Sequence, residues 1–446
     1  MFDISMIKKR WKRVLLTLGL IIATAHLYLT LFAVQERSYI REGRHLDSYV
    51  IQGTTAGQTF NLNKVTPKVT RVVAMDNDKN IFYKLNQKQL TTRNPNITTT
   101  SVDVSSNTSS TQDTTQIVNM VPEISYNVTH ILIVAYIRSG SSLTGDILQQ
   151  DPDSFYVYEP LHFTEKMGKK LQSVQLLNGK YVNIERKLFF NRAFTIINSY
   201  FDCNFSNLDF GTLVHGFQTF GNKTNKFIKC YVKKLGQKIN KKLATQMCAV
   251  ELEKMCQNSR FRTIKTIRIP MQYAEVYLKR YPSLKVIHLV RDPRAQVNSI
   301  VSLANTTRYN VGFAKQKCRA MERDHYFSEV YRTKYPGRIK RLYYEDLASS
   351  PIKTSESLYE FTGMNFTSVV RDYITGITSA GLSSCAICSK RANSSEHVEK
   401  WRLKLAFKDI QLIDKECMSV YKHYGFLPVQ TEKDLSDLSI PLRKTI

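Results

Sequence analysis

The stretch Ile131-Leu-Ile-Val-Ala-Tyr-Ile-Arg138-Ser-Gly140-Ser-Ser142 constrains the fold of this chain more than any other. An unbroken apolar run closed by a small polar turn reads as the end of a buried β-strand. Leu143, Ile147 and Leu148 then recur at helical spacing, which predicts a helix from Leu143 onward. A strand, a tight turn and a helix in that order aim the first backbone N–H groups of the helix at the turn and so favour a bound anion. Arg138 adds a cation at the entrance, and the hydroxyls of Ser139, Ser141 and Ser142 add neutral donors.

A nucleoside-triphosphate loop of the form G-x-x-x-x-G-K-[ST] sets a lysine on the terminal phosphates. Gly140 and Gly145 keep the spacing of its glycines, but Asp146 stands where the lysine belongs. A carboxylate there repels a triphosphate, which argues against ATP or GTP hydrolysis and leaves a phosphate or sulfate as the expected guest.

Further along, Phe155–Tyr158, Ile264–Ile269, Val286–Val290 and Ile339–Tyr343 read as strands, while Tyr273–Arg280, Arg294–Leu303, Ala314–Lys334 and Val398–Tyr424 read as helices. This alternation implies a parallel sheet with helices on both faces and a ligand site outside the carboxyl ends of the strands. A second strand with a cationic exit, Leu284 to Val290, runs into Arg291-Asp292-Pro293-Arg294, with Ser299 about two helical turns on. Asp292 and Pro293 suit the cap and first position of a new helix. Taken alone, that turn reads equally as a capped corner bearing surface arginines. Two strand-tip cation sites in one sheet imply a ligand with two separated anionic groups.

The N-terminus carries Lys8, Lys9, Arg10, Lys12 and Arg13 ahead of an apolar segment from Val14 to Val34, long enough to span a bilayer once. The basic flank predicts a cytosolic tail (1–13), a signal-anchor (14–34) and a lumenal remainder. Residues 35–128 read as a disordered stem, because Thr91–Thr115 is rich in Thr, Ser and Asn and nearly devoid of large apolar side chains. Eight N-x-[ST] sequons and eight cysteines agree with a lumenal setting in which disulfides form, their pairing left open. The net charge of +27 attracts polyanions. For the dense lysine cluster from Lys223 to Lys242 an anionic nucleotide donor or an already acidic glycan suits a membrane-anchored lumenal chain better than nucleic acid, and for any single lysine a solvated helix face is the simpler reading. Self-association as a homodimer is left open.

The loop Arg138-Ser-Gly-Ser-Ser-Leu143 followed by Val290-Arg291-Asp-Pro-Arg294-Ala, with Ser299 eight residues beyond Arg291, resembles the membrane-anchored carbohydrate sulfotransferases of the Golgi. Further matches are Phe155-Tyr-Val-Tyr-Glu159-Pro160, Tyr344-Glu-Asp-Leu347, Trp401-Arg402 and Tyr424-Gly-Phe426, and the likeness is nearest to the branch that sulfates the 6-hydroxyl of GlcNAc, galactose or GalNAc. His162 departs from the pattern by coming one position early after Glu159-Pro160. The expected architecture is α/β, a P-loop-type three-layer sandwich with a central parallel sheet over 129–430 and a C-terminal tail over 431–446, behind the transmembrane helix and stem.

The resemblance implies 3′-phosphoadenosine 5′-phosphosulfate (PAPS) as sulfuryl donor with no metal required. Arg138, Ser139, Gly140, Ser141 and Ser142 would hold its 5′ end, and Arg291 and Ser299 its 3′-phosphate. Catalysis falls to Arg138 and to Glu159 as general base, with His162 in reserve; the competing reading of Glu159 is a structural salt bridge, with Arg138 itself as a candidate partner. Lys265 and Arg268 are candidate neutralisers of donor or acceptor charge. Two rival readings are a type II glycosyltransferase with a D-x-D metal motif at Asp76-Asn-Asp78 or Asp151-Pro-Asp153, and a lumenal glycan-binding module without activity.

Overall fold

A computed structural model describes residues 128–170, 172–303, 311–379 and 394–444. The expected cytosolic tail, membrane anchor and stem up to residue 127 lie outside the described residues, as do Cys385 and Cys388. Among the described residues no helix is long and apolar enough to cross a membrane.

Strands β1 (Thr129–Val134), β2 (Ser154–Tyr158), β5 (Phe261–Thr266), β6 (Lys285–Val290) and β7 (Ile339–Tyr343) form one sheet in the order β2-β5-β1-β6-β7, and β3 (Gln172–Gln175) pairs with β4 (Tyr181–Ile184) in a separate ribbon. All four pairings in the main sheet are parallel. In register, Val134 lies between Thr266 and His288, and Tyr158 lies opposite Lys265. All five strands therefore leave the sheet at one edge.

The apolar run that marked the first strand is longer than the strand. β1 stops at Val134, and Ala135 to Gly140 form a loop whose apolar side chains are buried by tertiary contacts instead of by sheet. Tyr136 shows why: its hydroxyl donates to Asp324 and meets His288 Nε2 at 2.9 Å, so a residue outside the ladder is still anchored in the interior.

Helices packed around the site and core among the described residues include α1 (Ser141–Leu148), α2 (His162–Gly168), α3 (Phe189–Phe201), α4 (Asn222–Gly236), α5 (Lys241–Gln257), α6 (Pro293–Leu303), α7 (Val311–Lys334), α8 (Tyr344–Ser349) and α9 (Phe407–Tyr424). Central β1 is apolar from Ile131 to Val134 because both its faces are covered there. Leu132 and Val134 join one core with Phe201, Phe227 and Leu252 of α3, α4 and α5, while Ile131 and Ile133 join another with Leu143, Ile147 and Leu347 of α1 and α8. The α/β sandwich with a central parallel sheet is as the alternation of elements predicts.

Two expectations at the C-terminal end need correction. The single helix expected over Val398–Tyr424 is a short turn at Glu396–Glu399, an irregular stretch, and α9. Helix is lost there because Trp401 and Arg402 turn inward. The Trp401 ring lies 4.3 Å from the Arg294 guanidinium, and Arg402 donates to the carbonyls of Asp434, Leu435, Asp437 and Ile440. Those same bonds hold most of the expected tail, 431–444, against the domain, where Leu435 and Leu442 are buried and Arg443 pairs with Asp346.

Disulfides join Cys203 to Cys256, Cys230 to Cys248 and Cys318 to Cys417. The last closes the longest loop, with a sequence separation of 99, and staples α7 to α9. Restricting the unfolded chain over so long a loop stabilises the fold by an amount on the order of 2–5 kcal/mol. Cys318→Ser/Cys417→Ser is therefore expected to lower unfolding free energy by about that much, read as a lower urea midpoint under non-reducing conditions.

Candidate active site

The first loop is built by its own hydrogen bonds. Ser139 N–H and Oγ both donate to the Tyr136 carbonyl, and Ser139 is fully buried, so this hydroxyl shapes the turn and is not the ligand donor it was expected to be. Gly140, at φ 91°, begins α1, and an added Cβ would sit 2.2 Å from the Tyr344 ring. Ser141 and Ser142 open the helix with no acidic residue in its first turn, leaving its positive end toward the loop. Ser142 Oγ lies 3.1 Å from Tyr158 Oη. Asp146 is turned aside, accepting from Gln149 and from Tyr373, which accords with its exclusion as an anion ligand.

The second loop docks directly on the first. Arg291 Nη1 donates to the Arg138 carbonyl at 2.9 Å, and its guanidinium stacks 4.1 Å from the Tyr344 ring centre. Arg138 Nε in turn donates to Ser299 Oγ at 2.9 Å, across 161 residues of sequence. Ser299 is thus joined to the cation of the first loop. Arg291 Nε is buried and has no acceptor among the described residues, an orphaned donor of the kind that an anionic guest satisfies. Asp292 caps α6 through the Arg294 N–H. Arg294, for which a surface position was one of two readings of the turn, is wholly buried between Asp292 and Asp414 with the rings of Trp401 and Tyr421 over it. It supports the loop from beneath.

Glu159 follows β2 at φ 49° and is buried. Its Oε1 receives Lys265 Nζ at 2.5 Å, and its Oε2 pairs with Arg268 Nη1 and accepts from the Ile267 N–H. The salt bridge weighed for this residue therefore exists, with Lys265 and Arg268 and not with Arg138. In this arrangement both oxygens are engaged, and Glu159 becomes a proton acceptor only after a cation leaves it. Arg268 also donates from Nε to Glu165 and contacts His162 Nδ1 at 2.6 Å, so one guanidinium organises three groups. Because arginine only donates, Nδ1 of His162 accepts and Nε2 carries the proton. Burial, then the Arg268 charge, drives the His162 pKa far below its ordinary value, and the neighbouring His215 is pushed down to about 4 for the same reasons. In this arrangement the Nδ1 lone pair of His162 is taken by Arg268, so His162, like Glu159, becomes a proton acceptor only after that cation leaves it.

Sequence reasoning passed over Glu165 and gave no role to Tyr158, Tyr344 or Glu345, which figured only within motifs that carry the family resemblance. Glu165 sits one helical turn after His162, a spacing that could have suggested a shared partner. Glu345 had only its place in the Tyr344-Glu-Asp-Leu347 match, which assigns it no partner. Its Oε1 accepts the Asp292 N–H at 2.8 Å, and its Oε2 is buried without a partner among the described residues. Burial, reinforced by the Asp292 carboxylate, raises its pKa to about 7.

The helix N-terminus with Arg138 and Arg291 at one pair of strand exits, and Lys265 and Arg268 on the buried Glu159 carboxylate at the next, are equipped to bind anions and to stabilise negative charge that develops in transfer. The D-x-D candidate Asp151-Pro-Asp153 lies before β2, at the opposite edge, with Asp151 Oδ1 accepting the Asp153 N–H. Asp76-Asn-Asp78 lies outside the described residues. Among the described residues no three His, Cys, Asp or Glu side chains are grouped to hold a metal.

The sequence profile of the sulfotransferase family matches residues 130–368, more than half of the chain. Carbohydrate sulfotransferase 3 of Tetronarce californica is 27% identical over 346 residues, covering 70% of this chain and 76% of that protein. Carbohydrate sulfotransferase 1 of Danio rerio is 26% identical over 363 residues, covering 72% and 84%. The human carbohydrate sulfotransferase 3 is 25% identical over 341 residues, covering 70% of each chain.

The Glu345 carboxyl makes a pH prediction. Its folded pKa, raised from 4.5 to about 7, means that the folded state holds the proton more tightly; its contribution is complete below 4.5 and lost as pH rises through 7. Glu345→Gln is therefore expected to remove a contribution on the order of 3 kcal/mol that favours the acid side, so that its stability at pH 8 relative to pH 5 exceeds the wild type's by about that much, as urea unfolding at the two pH values would reveal.

Proposed function

This chain belongs to the sulfotransferase family, and from that premise we propose that it transfers the sulfuryl group of PAPS to a sugar hydroxyl, at the 6-position of GlcNAc, galactose or GalNAc. The junction of the Arg138 and Arg291 loops carries the reading, because it sets two cations, a serine and a helix N-terminus at one sheet edge beside Glu159. The match to carbohydrate sulfotransferases supports a glycan acceptor. The basic flank and apolar segment of residues 8–34 support a single-pass type II anchor with the catalytic domain in the Golgi lumen.

PAPS supplies a sulfuryl group already activated by its phosphate leaving group. The residues fit such a donor: Gly140, Ser141 and Ser142 offer N–H groups at the start of α1, and Arg291 Nε is a buried donor awaiting an acceptor. Arg138, through its bond to Ser299, ties the holders of the 5′ end to those of the 3′-phosphate. Ser139 keeps the loop closed. Lys265 and Arg268 bring positive charge to the transfer region, and Lys265 is the cation whose withdrawal from Oε1 lets Glu159 take the acceptor proton. Arg268, held by Glu165, keeps the carboxylate in place meanwhile.

Radiolabelled sulfate transfer from PAPS to a panel of GlcNAc-, galactose- and GalNAc-terminated glycans tests reaction and acceptor together; transfer to none of them contradicts the proposal. Calorimetry should find one adenosine 3′,5′-bisphosphate site per chain, with Arg291→Ala weakening it by about tenfold or more, the scale of one charge-assisted contact. Glu159→Gln should retain nucleotide binding and lose about a hundredfold or more in kcat; near-normal turnover in the folded variant would remove Glu159 as the base.

A further inference from the structure

From Phe210 to Val250 the chain carries eight lysines and neither an acidic residue nor an arginine. Helices α4 and α5 make a hairpin of this segment, pinned by Cys230–Cys248, with Phe227, Ala244 and Cys248 turned into the core. Lys226, Lys229 and Lys233 are exposed on α4, one helical turn apart, and Lys238, Lys241 and Lys242 are exposed at the turn between the helices. None of these six makes an ion pair among the described residues. Lys223 is the contrast, since its Nζ is satisfied by the Pro152 carbonyl and Ser259 Oγ.

Part of this charge opposes the local structure that bears it, although Lys233 in the last turn of α4 suits the helix dipole. Lys241 and Lys242 occupy the first turn of α5, where the helix dipole disfavours cations and no acidic residue offsets them. Lys238 is one of four non-glycine residues with positive φ among those described, and two of the others are Arg138 and Glu159 of the candidate active site. A self-repelling patch with no internal counter-charge is what an external polyanion would stabilise. Lysines are compact point charges, suited to anionic groups spread along a flexible chain more than to a planar bidentate partner. Lys226 to Lys233 alone span about 10 Å of helix axis, so a ligand must carry several charges to engage them together.

We propose that the α4–α5 hairpin is a second binding site, outside the donor and transfer residues, for a sulfated or carboxylated polysaccharide. The choice of polysaccharide over other polyanions rests on the glycan acceptor proposed above. The site would retain a long acidic acceptor near the enzyme while transfer proceeds elsewhere on the chain, and short neutral acceptors would gain nothing from it.

The test uses the full chain saturated with adenosine 3′,5′-bisphosphate, so that the active-site cations are occupied, and measures binding to immobilised heparin over a series of NaCl concentrations. Lys238→Glu/Lys241→Glu/Lys242→Glu should raise Kd by about tenfold or more and flatten the log Kd against log salt slope by roughly one per lysine engaged. The milder Lys238→Gln/Lys241→Gln/Lys242→Gln should show the same change to a smaller degree, with nucleotide affinity unaltered in both. Unchanged heparin affinity in both variants overturns the proposal. So does binding to phosphatidylserine vesicles in preference to heparin, which would make the hairpin a membrane face. Failure of the wild type to bind the nucleotide would instead sink the donor reading, with the heparin comparison still decisive for the hairpin.

Discussion

Parallel pairing is the constraint on which the rest depends. Because β2, β5, β1, β6 and β7 run the same way, every strand delivers its following loop to one edge. Glu159, Lys265 to Arg268, Arg138 to Ser142, Arg291 and Glu345 are drawn from five separate stretches of sequence and still meet there. The order matters as much as the direction. β5 lies between β2 and β1, so Lys265 sits beside Tyr158 in register and reaches Glu159, while Arg138 is carried away from that carboxylate toward the β6 loop.

Charge is used in two opposite ways. Arg268, Arg294 and Arg402 are buried and saturated by carboxylates or carbonyls, and removing one partner of such a pair typically costs about 3–5 kcal/mol. Arg294 binds the second loop to α9, and Arg402 fastens the C-terminal segment, so these arginines stiffen the frame around the candidate site. The lysines of the α4–α5 hairpin are exposed and unneutralised, which suits binding more than stability. Arginine serves the first purpose because its fork satisfies several acceptors at once, as Arg268 does with Glu159, Glu165 and His162.

Much of the site was legible because its chemistry is local. Arg138 to Ser142 and Arg291 to Ser299 each announce a strand exit through short-range patterning, and Asp292 shows its capping role two residues from the N–H it accepts. What could not be read was pairing. Nothing in the sequence distinguishes a Glu159 salt-bridged to Arg138 from one held by Lys265 and Arg268, since these lie 106 and 109 residues away and only strand order selects between them. Ser139 looked like a ligand donor and proved a structural one, because its neighbours Ser141 and Ser142 offer the same chemistry and only the turn geometry separates them.

Periodicity and composition were enough to specify an α/β chain with a parallel sheet and two cationic strand exits, because each of these depends on residues close in sequence. The end of β1 at Val134, the break before α9, the three disulfide pairings, the packing of 431–444 and the raised pKa of Glu345 needed the folded molecule. All of them are settled by burial and by contacts between distant segments, and those contacts exist only once the strands have taken their order in the sheet.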